Sequence, residues 1–440
     1  MKRYITVLVS FIFITSAASA QDAQDLGRRL QALEQKVEQL QQAQPSTELT
    51  EIRRQIDILS KEIESLKNNQ EKTAVVADQP QYGMGAAASK VYRSEPGVAF
   101  GGYGELQYER PSGTGERPTA NVEKAVLYTG YKFNKNILFN SELEVEDAST
   151  ERGGNVSIEF AYLDFLSRPE VNVRAGLVLL PVGLINEQHE PTAFFGVRRP
   201  DVETRIIPAT WAEMGGGLFG DVGRFTYRTY VVTGLDAQNF DADEPIREGR
   251  QAGAKAVAKD LAWTGRVDFH PFEGTFFGGS LYTGNSGQGL EREDGSRIAA
   301  RVTLGEIHAE SKFRGTTLRA LWSRGSIGDA ADLNAAIPDR VNNLVSSKFG
   351  GWYVEGGYDL ASVWPHGETS LTPYARYERF NTQRSVGGGL PANPENDARV
   401  LTLGMAFKPI AQTVIKADYQ RNKNRLRNSS QFNLGLGYIF

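Results

Sequence analysis

Two periods divide the chain. Between residues 26 and 66 apolar side chains recur every three or four positions: Leu26, Leu30, Leu33, Val37 and Leu40, then Leu49, Ile52, Ile56, Leu59, Ile63 and Leu66. Gln, Glu, Lys and Arg fill most of the remaining positions, which is the heptad pattern of a coiled coil. The register resets across Gln44-Pro45-Ser46, because proline cannot continue a helix. A coiled coil implies self-association; a single amphipathic helix lying on the rest of the protein is the alternative. Ile56 and Ile63 at a with Leu59 and Leu66 at d lean towards two strands, and Ile52 at d dilutes that preference. Residues 71–96 show no period and carry small residues (Gly83 to Ser89), so they read as a linker. From Gly97 the period changes to two, as in strands whose two faces meet different surroundings.

The last ten residues show the alternation plainly. Phe432, Leu434, Leu436, Tyr438 and Phe440 take one parity, and Asn433, Gly435, Gly437 and Ile439 take the other. Sixteen such strands are predicted, at 98–109, 122–133, 137–146, 156–166, 171–180, 211–219, 224–233, 259–270, 274–283, 299–313, 316–324, 349–359, 370–380, 398–408, 413–421 and 431–440. Most approach the about 9–11 residues that cross a bilayer at a tilt. The connections alternate long and short to the end of the chain. An up-and-down barrel with tight turns at one end and long loops at the other produces that rhythm, and a sandwich with crossing connections does not. The expected fold is therefore all-β: a 16-stranded antiparallel transmembrane β-barrel over 97–440, preceded by an N-terminal α-helical coiled coil at 21–70 and a linker at 71–96. An even strand number returns both barrel ends to the short-turn side.

Parity then assigns faces. A charge on the lipid face costs roughly 2–4 kcal/mol at mid-depth, so the charged parity faces inward. This puts Arg174, Arg228, Arg266, Arg376, Glu142, Glu144 and Glu146 in the lumen, with Arg319 and Lys416 as further basic candidates. In 171–180, Val171, Val173, Ala175, Leu177 and Leu179 face lipid. Lys124 and Glu306 fall on or near the apolar parity of their strands, so a bulge or a covering subunit is expected there. Sixteen strands enclose more space than side chains fill and leave a watery channel.

The first twenty residues read as an export signal: Lys2 and Arg3, a short apolar core from Tyr4 to Ile14, and the small-residue site Ala18-Ser19-Ala20. The apolar run is too short for a spanning helix, which needs about 20 residues. An exported chain without spanning helices can still cross a membrane as a closed barrel. Removing Lys2 and Arg3 leaves 47 basic residues against 53 acidic, a charge of −6, which gives nucleic acid no purchase. There is no Cys, and the four His (His189, His270, His308 and His366) have no ligand spacing, so no metal, cofactor or catalytic group is expected. Gly284 to Gln288 (GNSGQ) lacks the strand–turn–helix context of a nucleophile elbow.

The third long connection, 181–210, is the longest. It carries Pro181, Pro191, Pro200 and Pro208, the pair Phe194-Phe195, and Arg198, Arg199 and Arg205 among other charges. Such a stiff loop is expected to fold into the lumen and narrow it, with packing on the barrel rim as the alternative. Folded in, the three arginines would oppose Glu142, Glu144 and Glu146 and set up a transverse field that sorts solutes by charge. For each arginine, a salt bridge pinning loop to wall is the competing role.

Four stretches resemble a known family. Arg198 to Gly223 (RRPDVETRIIPATWAEMGGGLFGDVG), Gly101 to Leu106 (GGYGEL), Leu371 to Phe380 (LTPYARYERF) and Leu401 to Gln420 (LTLGMAFKPIAQTVIKADYQ) are similar to the phosphate-selective porin O and P family of Gram-negative outer membranes. The N-terminal arm resembles the coiled-coil extensions of some relatives. The terminal Phe440, with Tyr438 before it, resembles the signal read by the barrel-assembly machinery. The resemblance implies a homotrimer of 16-stranded barrels with an inward third loop, sited in the outer membrane with the arm in the periplasm. It also implies that lumenal Arg and Lys select phosphate, although this chain adds Glu142, Glu144, Glu159, Glu355 and Glu378 to the wall parities. The expected partners are the lipid bilayer, small hydrophilic solutes (phosphate or carboxylate anions among them), further copies of the chain, and peptidoglycan through the coiled coil. The competing reading is a structural barrel that tethers the envelope through that arm.

Overall fold

The computed structural model describes residues 80–148, 154–337, 343–363 and 368–440. The expected export signal at 1–20, the coiled coil at 21–70 and the linker up to residue 79 lie outside the described residues. Sixteen strands run β1 (Gly97–Ser112), β2 (Thr119–Lys132), β3 (Ile137–Glu146), β4 (Val156–Arg168), β5 (Val171–Leu179), β6 (Ala212–Val222), β7 (Phe225–Thr233), β8 (Leu261–Phe272), β9 (Thr275–Gly284), β10 (Val302–Phe313), β11 (Thr316–Ile327), β12 (Ser346–Tyr358), β13 (Ser370–Val386), β14 (Asp397–Ile410), β15 (Thr413–Lys423) and β16 (Asn428–Ile439). Each pairs antiparallel with its chain neighbours, and β1 pairs with β16 to close the barrel. At the seam the Phe440 amide donates to the Gly102 carbonyl at 2.9 Å, and the Gly102 amide donates back at 3.0 Å. Every predicted strand is present, and the turns and long loops segregate to opposite ends.

The faces follow parity. Phe432, Leu434, Leu436, Tyr438 and Phe440 stand exposed on the outside, while Asn433 between them is fully buried. Leu177 and Leu179 depart from expectation and are buried. Loop residues cover Leu177: a β-carbon on Gly253 would sit 3.3 Å from its Cδ1. The parity conflict at Lys124 resolves as a bulge. Glu105 pairs with Lys124 but the next residue, Leu106, pairs with Val122, so Glu123 is the extra residue. The bulge lets Val122 face out and Lys124 face in. Glu306 needs no bulge. It points inward, as do Val302 and Leu304, whose apolar side chains belong to the buried cluster around the third loop.

The largest difference from expectation lies at 80–96, read as part of a linker. Here these residues fold inside the barrel. Met84, Ala87, Ala88 and Val91 are buried, and Lys90–Arg93 form one helical turn. The Tyr92 hydroxyl donates to Asp164 at 2.7 Å, and Asn140 donates to the Ala88 carbonyl at 2.9 Å. Gly130 is required by this contact, because a β-carbon there would lie 2.6 Å from the Val91 side chain.

Candidate functional site

The third loop, residues 180–211, enters the lumen and is clamped at its neck. One Glu203 carboxylate oxygen accepts the amides of Leu184 and Ile185, both at 2.7 Å, and the other accepts the Tyr353 hydroxyl at 2.6 Å. Asn186 donates to the Leu180 carbonyl at 2.7 Å and accepts the Trp211 amide at 2.6 Å, which ties the two loop ends together. Burial pushes the Glu203 carboxyl up from its ordinary range.

A loop inside a barrel must find partners for its backbone carbonyls away from bulk water. Wall cations supply them along the tip. Lys408 donates to Thr192 O at 2.9 Å, Arg319 to Ala193 O at 2.7 Å and Lys416 to Gly196 O at 2.8 Å. Arg376 reaches Arg198 O at 3.3 Å and Arg199 O at 3.5 Å. Two carboxylates take loop amides: Asp418 accepts from Val197 at 2.7 Å and Glu378 from Val202 at 3.1 Å. The phenylalanine pair is packed, with Lys416 3.7 Å above the Phe194 ring and Phe195 stacked on Tyr374 at 5.5 Å. The opposite flank of the loop holds the 80–96 segment. Glu190 accepts the amides of Ala87 at 2.9 Å and Ala88 at 3.1 Å. Burial raises its carboxyl to about 7.

The sequence-selected residues fall into two groups. Arg174 and Arg376 are buried in the wall. Arg174 binds Asp164 at 2.8 Å beneath the 80–96 segment, and Arg376 binds Glu378 at 2.8 Å and Glu355 at 3.3 Å. Arg228 bridges Glu187 at 3.2 Å and Asp268 at 3.0 Å, and Arg266 binds Asp268 at 2.8 Å beside His308. Glu142 lies against His189 at 3.2 Å. Glu144 binds Lys124 at 2.7 Å and Glu146 shares that lysine at 3.2 Å. The acidic wall is thus met by Lys124 and the His189 ring, where the loop arginines were expected. Arg198 instead sits 3.6 Å from Glu109, Arg205 lies 3.7 Å from Asp201 within the loop, and Arg199 donates to His189 O at 3.3 Å. The roles of His189, Asp418, Lys408 and the 80–96 segment had no sequence signal beyond isolated charge and a few apolar residues between glycines.

The lumen is correspondingly divided, where sixteen strands alone led us to expect one wide channel. At the turn end a cavity of about 900 Å³ is lined by the 80–86 stretch, the loop tip, and Arg228, Arg266, Glu310 and Lys408. At the loop end a second cavity of about 520 Å³ is lined by Arg198, Arg199, Arg205, Arg247 and Arg250 together with Glu105, Glu109, Glu123, Glu146 and Glu159. Loop side chains and the 80–96 segment fill the space between strands that the wall side chains leave empty.

No protein-family model matches the chain. Among solved structures, the barrel is similar to OmpF of Salmonella typhi in complex with daunomycin (13% identical, TM-score 0.52, covering 78% of this chain and 97% of that one). It is also similar to the outer membrane channel DcaP of Acinetobacter baumannii (12%, 0.51, 78% and 97%). A loop-L8 deletion of OmpT, an outer membrane protein of Vibrio cholerae, aligns as well (12%, 0.51, 78% and 99%). These likenesses show the shared barrel fold. A protein of Aquifex aeolicus (strain VF5), described as uncharacterized, is 35% identical over 355 residues, 78% of this chain and 80% of that one. The chain therefore belongs to the family of that Aquifex aeolicus protein, with a closed sixteen-stranded antiparallel barrel as its fold.

Proposed function

We propose that the protein is an outer-membrane porin through which small hydrophilic solutes, phosphate and carboxylate anions among them, diffuse passively. The observation that carries this reading is the third loop folded into a closed barrel with an apolar outer face, leaving a charged vestibule on either side. A solute entering from the loop end meets Arg198, Arg199 and Arg205 on one side and carboxylates on the other. Opposed charges at such close quarters sort solutes by sign and dipole. No chemical step is required, and the wall charges are already engaged in holding the loop. The description of the neighbour DcaP as an outer membrane channel and the resemblance to the phosphate-selective porin O and P family support the same reading. The heptads at 26–66 support self-association, and the family resemblance makes the assembly a homotrimer in this reading, with the arm in the periplasm.

Planar-bilayer recordings of the purified protein in chloride, phosphate and dicarboxylate salts test this. Discrete conductance steps with anion current in at least one salt are expected. Silence in all three salts, from protein that migrates as a folded barrel, would overturn the reading.

A further inference from the structure

We propose that the outer face of the barrel carries a docking site for a phosphorylated glycolipid at the loop-end membrane interface, on β13–β15. The inference rests on the outer-membrane reading above. Arg379 pairs directly with Arg399, and Arg399 pairs directly with Lys423. Three cations therefore stand side by side across three adjacent strands, with β-carbons about 4.5–5.5 Å apart at each step. All three face outward and are exposed. Like charges in direct register repel, and a soluble protein face would intersperse acids among them. The nearest acid is Asp397, 4.0 Å from Arg379, and it is held more closely by Arg425 at 2.9 Å. Among the described residues, no carboxylate reaches Arg399 or Lys423.

Depth identifies the partner. β13 starts at the turn end with Ser370, and about 9–11 residues cross a bilayer. Arg379, the tenth residue of β13, thus sits where the strand leaves the hydrocarbon. Outward-facing aromatics flank this row: half-buried Trp352 pairs directly with Arg379, and exposed Tyr377, two residues nearer the middle of β13, packs on Trp352 at 5.6 Å. Aromatics of this kind mark the interface of membrane barrels. A row of cations just beyond an aromatic belt, facing outward, meets lipid headgroups. Three cations within this span fit a headgroup that carries more than one phosphate on a rigid sugar. Arginine's fork suits phosphate oxygens in particular.

Native mass spectrometry of the full-length protein tests the site. The probes are a bis-phosphorylated diglucosamine lipid, the same lipid with its phosphates removed, and phosphatidylcholine. The wild type should retain the phosphorylated lipid at least tenfold better than either other probe. The combined variant Arg379→Gln, Arg399→Gln and Lys423→Gln should lose that preference at least tenfold, and Arg399→Gln alone should lose part of it. A turn-end control, Lys135→Gln with Arg168→Gln, should keep it. Equal retention by the combined variant, or equal binding of the dephosphorylated lipid, would overturn the proposal. A change in oligomer mass without loss of lipid would mark the row as a contact between copies and overturn it as well. Heat-dependent gel migration confirms that each variant is a folded barrel. Parallel conductance recordings separate this proposal from the porin reading: lipid retained without conductance removes the porin reading alone, and conductance without lipid preference removes this site alone.

Discussion

The arginines of the wall and the arginines of the third loop share one lumen and live in opposite conditions. The Arg376 side chain is 0% exposed between Glu355 and Glu378, whereas Arg198 is 43% and Arg205 40% exposed, with ion pairs no closer than 3.6 Å. Wall arginines neutralise buried acids and hold loop carbonyls. Loop arginines face the vestibule. An inward-pointing charge is therefore not yet a charge that a solute meets. What separates the two classes is the demand of a loop backbone placed inside a barrel, which claims the nearest donors first.

The sharpest way to break this distinction is Arg376→Leu. Removing one partner of a buried, hydrogen-bonded charge cluster costs about 3–5 kcal/mol. Glu355 and Glu378 would remain, and the Arg198 and Arg199 carbonyls would lose their donor. Urea unfolding in detergent should show a lower midpoint, and single-channel traces should become noisier as the loop loosens. A loss below about 1 kcal/mol would mean that Arg376 is hydrated and belongs with the loop arginines after all.

Next in size is deletion of residues 80–93, whose 80–86 stretch lines the turn-end vestibule and whose Ala88 and Tyr92 bond Tyr162, Asp164 and Asn140. Severalfold larger conductance with unchanged ion preference is expected, because the exposed arginines lie on the other side of the loop. A changed preference at constant conductance would place the selective charges at the turn end.

A smaller effect should follow pH. Burial holds the Glu190 carboxyl at about 7, above the ordinary glutamate range. The folded state thus favours the neutral acid. The stabilisation from this group is complete below the ordinary range and is lost as pH climbs through about 7. Packing of the 80–96 segment over Glu190 should loosen over that window, against the Ala87 and Ala88 amide hydrogen bonds, which favour the charged form, and wild-type conductance should rise. Glu190→Gln, neutral throughout, should hold the low-pH value across the window. An identical rise in the variant would assign the titration to another group.

The barrel was legible because lipid penalises charge so strongly that, across the hydrocarbon, one parity of each strand stays clean. Even the bulge at Glu123 was announced by a lysine on the wrong parity. Glu306 misled for a related reason: Val302 and Leu304 are apolar but face a buried loop, and alternation does not distinguish lipid from packed protein. The 80–96 segment buries alanines and one methionine in an irregular stretch, which leaves no period to read. The anchor pairs were illegible because they join distant positions, such as Arg376 with the carbonyl of Arg198, 178 residues away. The candidate residues were thus found as a set, but their division into anchors and exposed charges depended on where the loop backbone lay.

The finest test of that division is the double variant Arg198→Ala with Arg205→Ala. Both side chains are about two-fifths exposed and their ion pairs are long, so unfolding stability should stay within about 0.5 kcal/mol of wild type. The carboxylates lining the same vestibule, Glu105, Glu109, Glu123, Glu146 and Glu159, remain. Removing two cations from opposite that wall leaves the local field more negative, so the reversal potential in a salt gradient should move towards cation preference. Conductance should change little, because the loop stays anchored through Arg319, Arg376, Lys408 and Lys416. A stability loss as large as that of Arg376→Leu would show that these two arginines pin the loop as well. An unmoved reversal potential at full stability would place the sorting of charge on the wall.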